Sequence, residues 1–256
     1  KNAFTDGFTR DAANLISIFS GKTTIAYGGL QSDRQIILKN DDYEQTVKSD
    51  PAKMESSTPR YSTNMTVKYG KESGSYQITG ANPEEVIIEN RKLTEGRYLS
   101  NRDLSLKQNV AVIGRMVQRD LIKDGSPVGK DLDINGTFFK VIGVFSDDGG
   151  DFEERVITVP ITTLQQMKKG SDTVSSIYIT YDSKLSPDQA IKYGDQLQKE
   201  LKAKNKVSPD DENAIIVRNN AKNMGDTIQF LFIITLIVGF IGMGTLLAGI
   251  IGISNI

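Results

Sequence analysis

The sequence predicts an α+β protein in which a split ferredoxin-like subdomain carries an inserted, strand-rich α/β subdomain and is followed by a transmembrane helix. Three observations lead to this prediction. The outer segments show strand and helix patterns in the order β-α-β-β and then α-β, which is the order of a split βαβ unit. The segment between them is rich in strand patterns and contains an Asn-Gly turn. The chain then becomes apolar from Thr227 to Ile256, without one charged residue.

These patterns divide the chain into consecutive parts. The N-terminal segment has Phe4, Phe8 and Ala12 on one helical face, which favours an amphipathic helix; a frayed terminus is the alternative. The predicted boundaries are 1–13 for the amphipathic segment, 14–83 and 174–218 for the ferredoxin-like subdomain, 84–173 for the inserted subdomain, 219–226 for a linker and 227–256 for the transmembrane helix.

The first half of the ferredoxin-like subdomain is predicted from its apolar periodicity. Residues 15–30 alternate in part and are interrupted by glycines, which predicts one or two strands. Residues 42–47 are a short helix candidate, with Pro51 just beyond it. Residues 61–70 and 75–80 both alternate, so we expect a hairpin.

The inserted subdomain has the clearest local signal. Residues 109–114 predict an apolar strand that stops at a glycine, and residues 116–123 predict a short helix. Asn135 and Gly136 lie between apolar residues, which predicts a type I′ hairpin because both central positions of that turn need a positive φ. Residues 156–161 predict a further strand.

An acidic, glycine-containing loop covers residues 147–154. Its carboxylates invite a calcium interpretation. However, they do not alternate, and no glutamate closes the loop at the EF-hand distance. We therefore predict a solvated, mobile loop and keep a metal site as the alternative.

The second half of the ferredoxin-like subdomain begins with an alternating strand at residues 175–181. Ser186, Pro187 and Gln189 then form a capping-box pattern, which starts a helix that runs to about Lys204. Residues 214–217 predict the closing strand. The helix ends in a group of lysines that suits its dipole and is expected to be a solvated face: Lys199, Lys202, Lys204 and Lys206.

The apolar run from Thr227 to Ile256 would be about 45 Å long as a helix, whereas a bilayer core is roughly 30 Å thick. A membrane span is the favoured interpretation, and a buried helix of a soluble protein is the alternative. Gly244, Ala248 and Gly252 recur at four-residue spacing, which predicts a small-residue face for close helix packing; incidental small residues are the alternative. Because no signal peptide is visible and the chain stops within its apolar run, we expect a fragment of a larger membrane protein.

Composition excludes several kinds of function. Lys plus Arg is 31 and Asp plus Glu is 32, and this balance gives no field that would favour nucleic acid. Cysteine and histidine are both absent, which excludes disulfides, thiolate or imidazole metal sites, a cysteine nucleophile and a Ser-His triad. We therefore predict no catalytic, cofactor-binding or metal-binding residue and no enzyme activity on this chain.

Several short motifs resemble, in their order along the chain, the MacB-like family of bacterial ABC transporter permeases, the type VII or mechanotransmission class. These motifs are Gly80-Ala81-Asn82-Pro83, Leu93-Thr94-Glu95-Gly96-Arg97 with Asp103, Val110-Ala111-Val112-Ile113-Gly114, Pro127-Val128-Gly129-Lys130, Ile134-Asn135-Gly136, Phe139-Lys140-Val141-Ile142-Gly143-Val144, Val159-Pro160-Ile161-Thr162-Thr163 and the final Gly249-Ile250-Ile251-Gly252-Ile253-Ser254-Asn255-Ile256.

This resemblance implies that residues 1–226 form a periplasmic domain, one half of which is porter-like. The domain would be attached to the second helix of a four-helix permease in the bacterial inner membrane. The implied partners are an ABC ATPase subunit, a second permease copy, membrane lipid, and a periplasmic adaptor protein or lipoprotein. The small-residue face would pack within the permease dimer. ATP-driven dimer closure would move the periplasmic domain to export or mobilise a substrate. The chain itself has no G-x-x-x-x-G-K-[ST] motif, so the ATPase is expected elsewhere.

Two other classes of function remain open from the sequence. One is a membrane-anchored sensor or binding domain with no ATPase partner. The other is an anchored enzyme, which would have to use carboxylate or lysine chemistry.

Overall fold

The computed structural model of the protein describes residues 14–222 and 233–245. Its strands, in chain order, are β1 (Leu15–Ser20), β2 (Leu38–Lys39), β3 (Met54–Tyr69), β4 (Glu72–Ala81), β5 (Lys92–Gly96), β6 (Val110–Gly114), β7 (Asp131–Ile134), β8 (Thr137–Ser146), β9 (Val156–Pro160), β10 (Thr173–Val174), β11 (Ser176–Tyr181) and β12 (Ile215–Asn219). Its helices are α1 (Asn40–Ser49), α2 (Glu85–Ile88), α3 (Asn101–Ser105), α4 (Arg115–Leu121), α5 (Ile161–Met167) and α6 (Pro187–Lys204), with short 3₁₀ turns at Pro51–Lys53 and Glu153–Arg155. Residues 233–245 are also helical.

The outer strands form the predicted ferredoxin-like sheet. They lie in the order β12-β1-β11-β3, and each neighbouring pair is antiparallel. Helix α1 precedes β3 and helix α6 connects β11 to β12, so the order and direction of the strands are those of a split βαβ unit. The predicted α+β, ferredoxin-like class is thereby confirmed.

Both helices cover the same face of this sheet. Ile16 and Ile18 of β1 pack in one buried cluster with Tyr193 and Leu197 of α6. The start of α6 has the predicted capping box: the Gln189 backbone N–H donates to the Ser186 hydroxyl (3.3 Å), and the Ser186 N–H donates to the Gln189 side chain (2.9 Å). This reciprocal pair satisfies two backbone donors of the first turn.

Strand β3 joins the two parts of the molecule. It pairs with β11 as far as Arg60, opposite Ser176, and it pairs with β4 from Tyr61, opposite Gly80. The sheet then continues through β9, β6 and β8 to β5, while β7 pairs with both β3 and β8. A single strand therefore belongs to both parts, and the backbone hydrogen bonds run without a break from one part to the other.

A second buried cluster fills the inserted part. Phe139 and Val141 of β8 pack in it with Ile113 of β6 and with the β3–β4 hairpin, represented by Val67 and Ile78. The hairpin precedes the inserted segment in sequence, yet its apolar side chains lie in the second cluster.

The predicted Asn-Gly turn is present between β7 and β8. Asn135 has φ 50° and Gly136 has φ 88°, as a type I′ turn requires. The Gly136 N–H also donates to the Asp133 carboxylate at 2.6 Å. The prediction is therefore confirmed. It could be made from the sequence because this turn depends on two adjacent residues only.

Two surface predictions hold for most of their residues, including exposed Asp148 and Asp151 of the loop and Lys199, Lys204 and Lys206 of the helix end, but each was wrong at one residue. Glu154 of the acidic loop is completely buried rather than solvated; it accepts hydrogen bonds from Arg115 Nε (2.9 Å) and from the Asp147 backbone N–H (3.0 Å). Lys202 of the predicted lysine face is only 4% exposed and donates to the Pro209 carbonyl at 2.9 Å. In both cases another segment of the chain packs over the charged group. The spacing of residues within one helix or loop does not show which other segment will pack against it.

Several predictions lie wholly or partly outside the described residues. They are the amphipathic segment 1–13, residues 223–226 of the linker, and most of the apolar run 227–256. Among residues 14–222 and 233–245, no helix has both the length and the hydropathy that a membrane crossing needs. The transmembrane span therefore stays a prediction.

Candidate binding cleft

A cleft of about 630 Å³ lies on the sheet face that α1 and α6 do not cover. Successive side chains of a strand point to opposite faces, so Leu15, Ser17 and Phe19 line the cleft while Ile16 and Ile18 enter the helix-covered core. Because side chains alternate along β1, one set packs in the core and the other forms part of the cleft floor.

The rest of the floor comes from β3, β4 and β11, through Arg60, Gln77, Ser176 and Tyr178. The Arg60 guanidinium lies 4.7 Å from the centre of the Tyr178 ring, within the range of a cation–π contact. Ser17 and Ser176 are 8% and 7% exposed, and neither hydroxyl group has a hydrogen-bond partner in the described part of the chain.

The wall of the cleft is the acidic loop that the sequence singled out. Asp147, Phe152 and Glu153 line it, opposite the floor of the ferredoxin-like sheet. The Phe152 side chain is 77% exposed, so the loop places an aromatic ring at the rim. The loop keeps its shape because the Asp147 carboxylate accepts a hydrogen bond from the Gly149 N–H at 2.7 Å and Glu154 is anchored beneath it.

An ion network lies behind the cleft at the point where β3 changes partner. Arg60 forms ion pairs with Glu89 (Nη1 to Oε1, 2.6 Å) and with Glu85 (Nη2 to Oε1, 3.1 Å). The Glu85 side chain is completely buried. A buried carboxylate needs opposite charge close by, and here two guanidinium groups supply it, Arg60 as an ion pair and Arg91 as an ion pair with a hydrogen bond.

The second guanidinium is Arg91, whose side chain is 1% exposed. Its Nη1 lies 3.2 Å from Glu85 Oε2 and donates to Thr158 Oγ1 at 2.8 Å. Its guanidinium carbon is 4.3 Å from the centre of the Phe145 ring. The network therefore ties β3, α2, β8 and β9 together.

Tyr98 completes the network by donating its hydroxyl proton to Glu85 Oε2 at 2.6 Å. Burial first, and the Glu85 carboxylate second, raise the pKa of Tyr98 far above its usual range. The phenol is consequently a permanent donor and not a proton-transfer group. The charges are fixed by mutual pairing, which suits a rigid joint better than acid–base chemistry.

The family-like motif residues Arg97 and Asp103 form a separate cap on α3. The Arg97 guanidinium donates two hydrogen bonds to the Asp103 carboxylate (2.7 and 3.0 Å). The Ser100 N–H and hydroxyl donate to the same carboxylate at 2.8 and 2.7 Å. The Arg97 hydrogen bond, opposed by burial and assisted by Ser100, lowers the pKa of the Asp103 carboxyl group.

We expect Asp103→Asn to destabilise the protein at pH 7 by roughly 1.5–3 kcal/mol, because hydrogen bonds to a charged group are lost. The folded-state pKa is lowered, so this contribution is fully present above the unfolded pKa of about 3.9 and is lost as pH falls through the folded pKa. Urea unfolding followed by circular dichroism from pH 7 to pH 2 measures both effects. The variant should lose less stability on acidification than the parent, whereas exposed Asp124→Asn should follow the parent curve. Identical acid curves for the parent and Asp103→Asn would contradict the assignment.

The predicted helix-packing residues are only partly within the described structure. Gly244 lies in the helix at residues 233–245, and a Cβ atom placed on it would meet nothing within 4 Å. Ala248 and Gly252 lie outside the described residues. The packing face stays a prediction.

The sequence missed the cleft floor because it is assembled from four strands far apart in the chain. Its one local signal was the acidic loop, which turned out to be the wall. Among residues 14–222 and 233–245, no group of three or more carboxylates is arranged to hold a metal ion.

The fold is that of an α+β domain built on a split ferredoxin-like sheet, with an open cleft on one face of that sheet. A family model for the MacB-like periplasmic core domain matches residues 1–196. The chain therefore belongs to the MacB-like periplasmic core domain family of ABC transporter permeases, as its motif order predicted.

Relatives and solved structures agree with this membership. The chain is similar to the macrolide export ATP-binding/permease protein MacB of Bdellovibrio bacteriovorus, with 26% identity over 95% of this chain and 38% of the relative. It is 28% identical to the pyoverdine export ATP-binding/permease protein PvdT of Pseudomonas aeruginosa, over 75% of this chain and 28% of the relative. The chain thus spans well under half the length of these relatives.

Among solved structures, the periplasmic region of MacB from Actinobacillus actinomycetemcomitans has a TM-score of 0.71 at 22% identity, covering 89% of this chain and 98% of that one. The extracellular domain of the noncanonic ABC-type transporter YknZ from Gram-positive bacteria has a TM-score of 0.66 at 18% identity, covering 80% and 100%. At these identities the likeness establishes the fold.

Proposed function

We propose that this chain is the periplasmic part of an inner-membrane ABC permease subunit that ATP-driven dimer closure moves, so that a periplasmic substrate is exported or mobilised. The observation that carries the proposal is the family match over residues 1–196. The ATPase is assigned to a partner subunit or domain. A second permease copy, membrane lipid and an adaptor protein or lipoprotein are the further proposed partners.

The helix at residues 233–245 supports the membrane attachment. Its large apolar side chains are exposed over the whole described stretch, for example Phe240 at 74% and Ile237 at 53%. An apolar helix without a polar face needs lipid or another helix around it. We therefore propose that residues 227–256 span the membrane and that Gly244, Ala248 and Gly252 pack against the second permease copy.

Strand β3 supports the mechanical element of the proposal. Its hydrogen bonds run unbroken from the ferredoxin-like sheet into the inserted part, and the Arg60–Glu85–Arg91 network braces the same joint. A displacement at β12, which precedes the membrane helix, would then reach the inserted part without being absorbed by a flexible linker.

We also propose the domain division 14–83 with 174–218 as porter-like and 84–173 as inserted. The two large buried clusters support a bipartite molecule. The β3–β4 hairpin connects them, because it lies in the first segment by sequence and packs in the second cluster.

Co-purification tests the proposal. The full-length gene product, expressed with its neighbouring genes, is expected to bring down an ABC ATPase and to change the rate at which that ATPase hydrolyses ATP. Proteoliposomes with the ATPase alone are the control. If no ATPase associates with the full-length protein and its turnover is unaffected, the permease function is wrong.

The cleft favours one alternative function, a membrane-anchored binding or sensor domain that works without an ATPase. In that case ligand would bind the cleft, but the full-length protein would leave ATP hydrolysis unchanged in the same experiment.

A further inference from the structure

The cleft brings three aromatic rings together. Phe19 and Tyr178 lie edge to face on its floor, with their ring centres 6.1 Å apart. The Phe152 ring stands at the rim and is 77% exposed. Burying an aromatic side chain removes roughly 150–250 Å² from water, so an exposed ring gains by packing against a ligand. The three rings therefore offer a ligand flat apolar faces on both the floor and the wall.

Two arginines hold the floor rings in place. The Arg60 guanidinium lies 4.7 Å from the centre of the Tyr178 ring, and the Arg218 guanidinium lies 5.3 Å from the centre of the Phe19 ring. Both distances are within the range of a cation–π contact. Arg60 is itself fixed by its ion pair with Glu89. The floor is thus a preorganised surface, which lowers the ordering cost of binding.

The charged groups of the cleft have partners within the protein. Glu89 pairs with Arg60 at 2.6 Å, and the Asp147 carboxylate lies 4.0 Å from Arg91 Nε. Glu153 also interacts within the protein. Arg60 is the one cation among the lining residues in the described structure, and carboxylates already engage it. Because these charges balance one another, the cleft favours a neutral ligand over a basic or an acidic one.

The rest of the lining can form hydrogen bonds with a neutral ligand. Its hydroxyl and amide groups come from Ser17, Ser62, Gln77, Ser175 and Ser176, and Leu15 is its one aliphatic side chain among the described residues. Hydroxyl and amide groups both donate and accept, and an ion-paired carboxylate keeps further acceptor positions because its two oxygens accept about four hydrogen bonds. These groups match a ligand with many hydroxyls, whereas an apolar macrocycle or an acyl chain would displace their water without replacing its hydrogen bonds.

We propose that this cleft binds a short neutral oligosaccharide. A sugar ring has C–H faces, which pack on the electron-rich faces of aromatic rings, and a rim of hydroxyls, which hydrogen-bond to polar side chains. Its rings pack against Phe152 at the rim and Phe19 and Tyr178 on the floor, and its hydroxyls contact Gln77. The volume of about 630 Å³ is typical of small-molecule sites. The proposal rests on the proposed function only in treating the ligand as a periplasmic molecule, because binding itself requires no ATPase.

Calorimetry on the whole chain in micelles of a sugar-free detergent tests the inference, with cellotriose, maltotriose and triacetylchitotriose as the probes. At least one of these sugars is expected to bind, and its affinity should change by less than about twofold as salt is raised, because the ligand carries no charge. Sorbitol has hydroxyls but no ring, and it should bind at least about tenfold more weakly since it cannot stack. Tri-lysine and tri-glutamate should not displace the bound sugar.

Two pairs of variants locate the bound sugar. Phe152→Leu keeps an apolar side chain but removes the ring, so it should weaken binding about threefold to tenfold. Its matched control is Phe138→Leu, because Phe138 is 66% exposed on β8 and does not line the cleft. Gln77→Met keeps the length of the side chain but removes its hydrogen bonds, and a similar loss is expected. Gln166→Met, at an exposed position on α5, should leave binding unchanged. Circular dichroism melts confirm that each variant is folded.

The inference is overturned if none of the three sugars binds. It is also overturned if Phe152→Leu and Gln77→Met lose no more affinity than their controls, because the sugar would then bind elsewhere on the protein. Displacement of the sugar by tri-lysine, tri-glutamate or a macrolide would assign the cleft to that ligand class instead. These failures are distinct from a failure of the permease function, which is measured by ATPase association.

Discussion

Glu85→Ala is expected to destabilise the protein by roughly 3–5 kcal/mol, because it leaves the two arginines of the network without their shared carboxylate. The Arg91 side chain is 1% exposed and that of Arg60 is 11% exposed, so solvent cannot replace the lost partner. The Tyr98 hydroxyl loses its acceptor as well. Equilibrium urea unfolding followed by far-UV circular dichroism measures the loss.

The control for this variant is Glu44→Ala, which removes an exposed ion pair with Lys48 on α1 and should cost no more than about 0.5 kcal/mol. Glu85→Gln keeps an acceptor for Tyr98 and should fall between the two. A loss below about 1 kcal/mol for Glu85→Ala would show that the network is solvated and does not brace the joint.

Gly96→Ala is expected to cost roughly 3–5 kcal/mol, from a strained backbone together with a backbone clash. Gly96 has φ +74°, and a Cβ atom there would lie 2.2 Å from the Ile142 carbonyl oxygen. Neither the β5 backbone nor β8 can retreat without breaking their pairing. Thermal and urea unfolding of the variant measure the effect.

Gly125→Ala separates the two causes. Gly125 has almost the same φ, +73°, but a Cβ atom there meets nothing within 4 Å. It should therefore cost only the roughly 1–2 kcal/mol of left-handed backbone strain. Equal losses in the two variants would mean that the close approach to Ile142 contributes nothing.

Features that depend on neighbouring residues were predictable. The Asn135-Gly136 turn and the Ser186–Gln189 capping box each depend on a few adjacent side chains and backbone angles. The ferredoxin-like class followed from element order, since few sheets accommodate a β-α-β-β and α-β sequence. The family followed from the order of motifs such as Gly96-Arg97 with Asp103, which the structure explains as a close approach and a helix cap.

Features that depend on distant segments were not predictable. Arg60 gives no signal within β3, yet it meets Glu85 and Glu89 from α2 and its C-terminal cap, and Tyr178 from β11. The burial of Glu154 depends on Arg115, and that of Lys202 on the loop at Pro209. In each case the ion pair or hydrogen bond forms only when the chain has folded and the two segments are in contact, so the local sequence carries no sign of it.

The sequence by itself determined the fold class, the family and the apolar run from Thr227 to Ile256, because strand and helix periods, turn chemistry and hydropathy are local properties of the chain. Only the tertiary structure decided that the acidic loop is the wall of a cleft, that Ser17 and Ser176 form its floor, and that a buried ion network lies behind it. Those features arise from the pairing of strands β1, β3 and β11, whose registers bring residues more than a hundred positions apart onto one face.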